Sequence, residues 1–460
     1  MSDVSSPITS NYIKGILSNP GSVVHFIGVG GVSMYSLARL TYDMGILVSG
    51  SDREQNDRVN DLLLRGCNIT VGHSAGAVDN ASLVVYSHAI SEANPELVRS
   101  KELSVPTVCR AEYLGALMLD YSVRIGVSGS HGKSTTIAML DSIFAVAEYG
   151  HTTLSGADLL IGSPYRAGSR DNLLYEACEY KDSFLHFNPT VAICLNVELD
   201  HTDYFRDLDH IKFSFASALN RSTDLVLANG DDENVRDLLS SVDGRVLTYG
   251  SGEDNDYRFS ITSFGDDGYN FALYKYGSHI ADFHLGMLGE FNIYNASAAI
   301  AASLEQGIGI EKIKLGIDRF NGIHGRLEYI GSRYGRAVYL DYAHHPTEIF
   351  ASINALKSLG GPLTVVFKPH TYSRTAALWD DFVFALSQAD YTIVTDIFPA
   401  RELPIDGITS LRLAEAVGGG AIYSPDDDLV QFIDSLTRGT IVLMGAGNYD
   451  KIKKNIVKGL

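Results

Sequence analysis

Cysteine is scarce in this 460-residue chain: Cys67, Cys109, Cys178 and Cys194 are the full complement, and no two stand at C-x-x-C spacing. That argues against a disulfide framework or a cysteine-built zinc site, and a reducing compartment, the cytoplasm, is expected. No run of ~18 apolar residues is present to span a bilayer, and residues 1–10 lack a basic-then-apolar leader pattern. No membrane association is therefore expected. Cations are short too. Lys and Arg number 36 against 55 Asp and Glu, a formal charge of −19, so a nucleic-acid backbone is not an expected partner. Small anions remain admissible ligands, because local loops can reverse the field. Internal repeats and low-complexity tracts are absent. What remains is an ordinary 45% apolar composition in a chain too long for one core, and about three domains are expected from length.

The richest stretch is Gly-Val-Ser-Gly-Ser-His-Gly-Lys-Ser-Thr-Thr at 126–136. Residues 124–127 have the character of a strand end, and Ile137-Ala138-Met139-Leu140 opens an apolar helix. Between them the glycines allow successive N–H groups to converge on an anion at the helix N-terminus. Lys133 adds a point charge for terminal phosphates, and the Ser134 hydroxyl suits Mg²⁺. Val127 stands where a strict G-x-x-x-x-G-K-[ST] would begin with glycine. The order of strand, loop and helix predicts an ATP-using enzyme.

Upstream, residues 23–28 form an apolar strand leading into Gly28-Val29-Gly30-Gly31, then a helical stretch, then a strand over 46–50 ending at Ser51-Asp52. Strand, glycine turn, helix, strand and acid is a dinucleotide-fold pattern, with Ser33 in place of the third glycine. Further strands are expected at 83–87, 191–196 and 223–229. Residues 254–284 alternate aromatic and polar and read as a small antiparallel meander. An alanine-rich helix is expected over 293–306. From near Arg326, strands at 337–340, 363–367, 391–394 and 440–444 alternate with helical stretches. Three α/β units joined end to end are the simplest architecture.

Four polar clusters follow strands, where α/β proteins place chemistry. They are 175–179, around Glu176; 196–203, Asn-Val-Glu-Leu-Asp-His-Thr-Asp; 341–348, Asp-Tyr-Ala-His-His-Pro-Thr-Glu; and 367–375, Phe-Lys-Pro-His-Thr-Tyr-Ser-Arg-Thr. Carboxylates and an imidazole beside a phosphate loop suit Mg²⁺ and a transferring phosphoryl group. Arg374 could fork onto a carboxylate or phosphate. Adjacent His344 and His345 could not both point inward from a regular element.

These stretches, with HFIGVGGVSM at 25–34, LGEFNIYNASAA at 288–299 and DIFPARE at 396–402, resemble the Mur ligase family over nearly the whole chain. DYAHHPTE with FKPHTYSRT is most similar to its alanine-adding members. The resemblance implies an α/β fold of three domains. These are an N-terminal Rossmann-like uridine-nucleotide domain (1–120), a central P-loop ATPase-type domain with a small antiparallel sheet (121–325), and a C-terminal Rossmann-like domain (326–460). It implies ATP-dependent ligation of L-alanine to the lactyl carboxylate of UDP-N-acetylmuramate through an acyl phosphate, for peptidoglycan precursor synthesis, by a monomer or homodimer.

By the same resemblance Gly129, Ser130, His131, Gly132, Lys133, Ser134 and Thr135 hold ATP. Ser134, Glu176 and His201 are Mg²⁺ ligands, and Phe291, Asn292 and Asn295 address adenine. Arg326, Asp341, His344 and His345 lie around ATP and the incoming amine, and His370 and Arg374 near the alanine and the muramyl carboxylate. Gly28, Gly30, Gly31, Ser51 and Asp52 line the uridine-diphosphate pocket. The chain departs from the family pattern at Ser130, Ser33, His88, Gly325 (where an arginine pair is usual) and Asn448. Two other functions share much of this pattern: a ligase recycling a preformed murein peptide, and a nucleotide-sugar-binding regulator that has lost ligation.

Overall fold

The computed structural model describes residues 9–265, 267–333, 335–400, 402–429, 431, 433 and 439–445; Asn448 and Arg401 lie outside them. Its contacts divide the chain into two compact units. The first comprises 1–197, 212–257 and 298–316, the second 198–211, 258–297 and 317–460.

The first unit opens with five parallel strands: β1 (Val23–Ile27), β2 (Leu47–Asp52), β3 (Asn68–Val71), β4 (Leu83–Tyr86) and β5 (Thr107–Cys109), in the order β3-β2-β1-β4-β5. Chain order reverses between β1 and β4, which in an open α/β sheet marks the ligand crevice at the carboxyl ends. The edge strand β3 is mostly exposed, so no apolar run announced it.

The same unit continues with β6 (Val123–Ser128), β7 (His151–Leu154), β8 (Tyr165–Arg166), β9 (Asn172–Glu176), β10 (Val191–Cys194), β11 (Leu225–Asn229) and β12 (Val246–Gly250). They run β12-β11-β10-β6-β9-β7-β8. β10 and β11 are buried along their length, as parallel strands covered on both faces must be. The helix Lys133–Val146 follows β6 and is buried from Ser134 to Phe144. β7 pairs with β8 antiparallel and with β9 parallel.

In the second unit the predicted meander is present. After β13 (Tyr257–Gly265), β14 (Gly268–Lys275) and β15 (Ser278–Leu285) pair antiparallel. Phe271 and Phe283 stack across the pair with ring centroids 5.4 Å apart. The alanine-rich helix spans Phe291–Glu305, two residues earlier than expected. The last sheet contains β16 (Glu328–Arg333), β17 (Arg336–Asp341), β18 (Leu363–Phe367), β19 (Tyr391–Val394), β20 (Ile422–Tyr423) and β21 (Thr440–Met444). Their order is β16-β17-β21-β18-β19-β20, parallel except for the β16–β17 hairpin. Phe367, Val365, Phe382, Ile353 and Leu413 fill the core on one side of it. No helix among the described residues is long and apolar enough to cross a membrane.

Candidate active site

The phosphate loop leaves the end of β6. Gly132 takes φ +85° as the N-cap of Lys133–Val146, with no side chain capping the helix, so the first-turn N–H groups are left for a ligand. Gly129 sits at φ +146°, where a Cβ would come within 2.9 Å of Leu195 Cβ. Only glycine fits there. Asn196, at the end of the neighbouring strand, holds the loop from outside: its Oδ1 accepts from His131 N–H (2.8 Å) and its carbonyl from Ser130 N–H (3.1 Å).

Lys133 Nζ donates to Glu179 Oε2 at 2.9 Å and to the Gly129 carbonyl. Burial works against the ammonium charge, but Glu179 outweighs it and moves the Lys133 pKa up. The lysine therefore stays a cation in a largely enclosed site. Glu176, at the end of β9, accepts from Gly156 N–H and lines a small cavity with Ser33, Arg110, Ser155 and Tyr175. The Tyr175 hydroxyl is buried without a partner. Oxygen donors at Ser134 and Glu176 fit a hard cation such as Mg²⁺.

The N-terminal glycine turn belongs to the same unit. Gly28 N–H (2.8 Å) and Val29 N–H (3.0 Å) both donate to the Ser51 carbonyl, and Gly30 N–H donates to Asp52 Oδ2 (2.8 Å). A Cβ on Gly30 would meet that carboxylate at 2.9 Å, whereas one on Gly31 would only brush the Gly28 carbonyl at 3.4 Å. Asp52, the acid expected from the dinucleotide pattern, thus closes directly on the turn. The Ser51 side chain is fully buried and faces inward. His88 packs edge-on to Tyr86; burial, then Lys181 and Arg110, lowers its pKa.

The second unit gathers the other predicted residues. Arg374 NH2 donates to Asp200 Oδ1 at 2.8 Å, and its NH1 lies 3.1 Å from His370 Nδ1. Burial would raise the Asp200 carboxyl; Arg374, with His201 behind it, outweighs that and holds it well below the usual range. His201 occupies the left-handed region at φ +52°, its N–H bonded to Asp200 Oδ1 (2.7 Å).

His344 and His370 approach with ring centroids 6.1 Å apart, and His370 stacks on Phe398 at 5.7 Å. Burial lowers both imidazoles to about 4, Arg374 adding to the effect at His370. They are neutral at physiological pH. His345 is the N-cap of the helix Pro346–Lys357, in a capping box with Glu348, and its Nδ1 lies 3.3 Å from Glu198 Oε2. Both rings are enclosed, with side chains 19% and 7% exposed. A regular element could not do this, but the turn before a helix can.

Asp341, at the end of β17, accepts from Ser352 Oγ; burial pushes its carboxyl up to about 6. The Arg326 guanidinium lies over the Tyr342 ring at 4.9 Å. Gly325 beside it has φ +72°, a conformation in which an arginine would be strained. Asn295 Nδ2 donates to Asn292 Oδ1 (3.1 Å), and both are buried. Phe291 lies against Gly289, where a Cβ would meet its ring at 2.4 Å.

Motif reasoning assigned no role to Asn196, Glu179, Asp200, Glu198 or Glu348. Each lies inside one of the four polar clusters, but nothing in the spacing says which carboxylate or amide bonds inward.

Family models described as "Mur ligase family, catalytic domain", "Mur ligase middle domain" and "Mur ligase, glutamate ligase domain" match residues 23–122, 127–303 and 325–447. The chain is 39% identical over 447 residues to the UDP-N-acetylmuramate–L-alanine ligase of Acetivibrio thermocellus, covering 95% of each protein. It is 38% identical over 440 residues to that of Clostridium acetobutylicum, covering 93% of this chain and 96% of the other. The crystal structure of the UDP-N-acetylmuramate–alanine ligase of Thermotoga maritima superposes with a TM-score of 0.80 at 26% identity, covering 95% of this chain and 98% of that one. A murein peptide ligase from Psychrobacter arcticus shares the fold at a TM-score of 0.73 and 22% identity, with the same coverage.

Proposed function

The chain belongs to the Mur ligase family, and from that premise we propose that it joins L-alanine to the lactyl carboxylate of UDP-N-acetylmuramate, using ATP, to give UDP-N-acetylmuramoyl-L-alanine, ADP and phosphate. The observation that carries this is likeness along nearly the whole chain to ligases of that name.

The chemistry follows from the leaving group. A carboxylate oxygen is a poor one, so the substrate carboxylate first attacks the γ-phosphorus of ATP, forming an acyl phosphate and releasing ADP. The alanine amine then adds to the acyl carbon, and phosphate leaves from the tetrahedral intermediate. Both steps call for positioning and charge neutralisation more than covalent help from the protein.

Lys133 and the first-turn N–H groups after Gly132 would bind the β- and γ-phosphates, with Glu179 giving up the lysine as nucleotide enters. Ser134 and Glu176 would hold Mg²⁺, which supplies further neutralisation of phosphate charge. His201 offers a nitrogen, a softer donor than Mg²⁺ prefers, so its metal role rests on resemblance alone. Arg374, fixed by Asp200, would orient a carboxylate. Neutral His344 and His370 are able to accept a proton from the amine. Asn292, Asn295 and Phe291 are assigned to adenine, and Arg326 and Asp341 to the nucleotide.

The boundaries 1–120, 121–325 and 326–460 are proposed as the functional domains, supported by the ranges the three family models match. A cytoplasmic location is supported by the four unpaired cysteines.

Phosphate release by the purified protein is the test. Turnover is expected only with ATP, UDP-N-acetylmuramate and L-alanine together. Release without the muramyl nucleotide, or preference for a murein tripeptide over alanine, overturns the assignment.

A further inference from the structure

The segment Asp-Ile-Phe-Pro-Ala-Arg-Glu at 396–402 carries part of the family resemblance but takes no role in the chemistry above. It follows β19 and runs beside the residues that follow β18. The two strands pair in parallel as far as Phe367 and Val394, and the pairing resumes past their ends. Thr395 N–H donates to the Phe367 carbonyl (2.9 Å), Phe398 N–H to the Pro369 carbonyl (2.8 Å) and Thr371 N–H to the Phe398 carbonyl (2.9 Å). His370 and Phe398 therefore stand opposite each other, with their rings stacked. The start of the segment is tied as well. Asp396 accepts from the Tyr423 hydroxyl (2.6 Å) on β20 and from Asp426 N–H (3.2 Å) just after it.

Thr371 is the strained point of the neighbouring loop. Its backbone lies at φ +64°, ψ +147°, a region open to glycine and unfavourable to a β-branched residue. Such a conformation persists only where the surroundings over-determine it. The helix that Thr371 caps, Tyr372–Ala377, has six residues, too few to be stable by themselves. Contacts from 396–402 hold both. Phe398 takes the Thr371 N–H on one side of the turn. On the other, Glu402 accepts from Ser373 twice, from its N–H at Oε2 (2.8 Å) and from its hydroxyl at Oε1. Glu402 is itself folded back onto the segment, its N–H donating to the Pro399 carbonyl at 2.8 Å.

This turn sets the relation between His370, which precedes Thr371, and Arg374, three residues after it. His370 Nδ1 and Arg374 NH1 meet at 3.1 Å, while Asp200 holds NH2 of the same guanidinium. Relaxing Thr371 to an ordinary negative φ would swing the helix start away from His370 and separate the two side chains.

We propose that Glu402 is a positioning residue for the amide-forming step: with Phe398 it clamps the strained turn at Thr371, and so holds His370 and Arg374 in a single arrangement toward the amino-acid substrate and the carboxylate it joins. This rests on the ligase reading above.

Steady-state kinetics and thermal unfolding of one set of variants test it. Glu402→Ala should lower kcat/KM for L-alanine about ten- to 100-fold, with the KM for ATP unchanged, and lower the melting midpoint by roughly 2–4 °C. Glu402→Gln, whose amide can accept from the Ser373 N–H and donate to its hydroxyl, should recover most of both losses. The decisive comparison adds Thr371→Gly. Glycine adopts φ +64° freely, so in that background the turn needs less holding, and the cost of Glu402→Ala should fall by at least half in both readouts.

An equal cost of Glu402→Ala with and without Thr371→Gly overturns the clamp. A lowered midpoint with unchanged kcat/KM for alanine makes Glu402 a structural residue only and overturns the positioning role. Should Glu402→Ala fail to fold, Ser373→Ala, which deletes one of the two bonds to Glu402, takes its place in the same comparison. A parent protein that ligates no alanine refutes the ligase reading and the positioning role together, whereas intact ligation without coupling between Thr371 and Glu402 refutes this proposal alone.

Discussion

Lys133 stands at 2.9 Å from Glu179 with 15% of its side chain exposed, and its charge is the main one the first unit brings to the loop. Lys133→Ala should lower phosphate release by about 100-fold or more, the scale at which removing one preorganised charge contact acts in such reactions; retention of half the activity would exclude the assigned role. Asp341 offers a pH test. Its carboxyl is pushed up to about 6 from an ordinary 3.8 by burial, so between about pH 4 and 6 the folded protein binds more protons than the unfolded chain. Its contribution to stability therefore falls as pH rises through that window and is level above it. The stability of Asp341→Asn relative to the parent should rise from pH 4 to 6 and then stay constant, as read from urea unfolding. Lys133 and Asp341 were both legible from sequence because each closes a recognisable local pattern. Glu179 was not, since a glutamate 46 residues from its lysine carries no mark of the partner it will find.

Loops and helix starts show the same division. The turn at Gly129 is encoded locally, because φ +146° and the approach of Leu195 Cβ admit no side chain. Gly129→Ala should cost about 1–3 kcal/mol through backbone strain and weaken ATP binding, measured by thermal unfolding with and without nucleotide. The helix Pro346–Lys357 begins with proline at its first position and Glu348 in its first turn. That His345 would be the cap, and so be enclosed beside its neighbour, depended on the backbone of a non-repeating turn. The Asp200–Arg374 pair spans 174 positions and belongs wholly to tertiary structure. Asp200→Ala leaves Arg374 nearly buried without its carboxylate, which should destabilise the second unit by about 3 kcal/mol and raise the KM for a carboxylate substrate. An unfolding midpoint unchanged from the parent would contradict this.

For the whole chain, ligand binding and stability are linked by mass action. Saturation with ATP and Mg²⁺ at about 100 times Kd should add roughly 2.7 kcal/mol to the folded state, and Lys133→Ala should abolish most of that gain in a thermal-shift measurement. Architecture was legible at this scale because buried parallel strands such as β10 and β18 must be apolar throughout, and glycine turns must follow them where phosphate is to be bound. Exposed or short strands, β3 and β8 among them, left no such trace. The phosphate loop, the glycine turn, the order of the α/β units and the family were determined by sequence alone, since each depends on local backbone geometry or on the apolar period of one element. Which carboxylates would serve Lys133 and Arg374, and whether Ser51 would face a ligand or the interior, only the tertiary structure decided. Those choices depend on which strand ends and loops come together in space, and a buried charge is stable only where a partner from another part of the chain meets it.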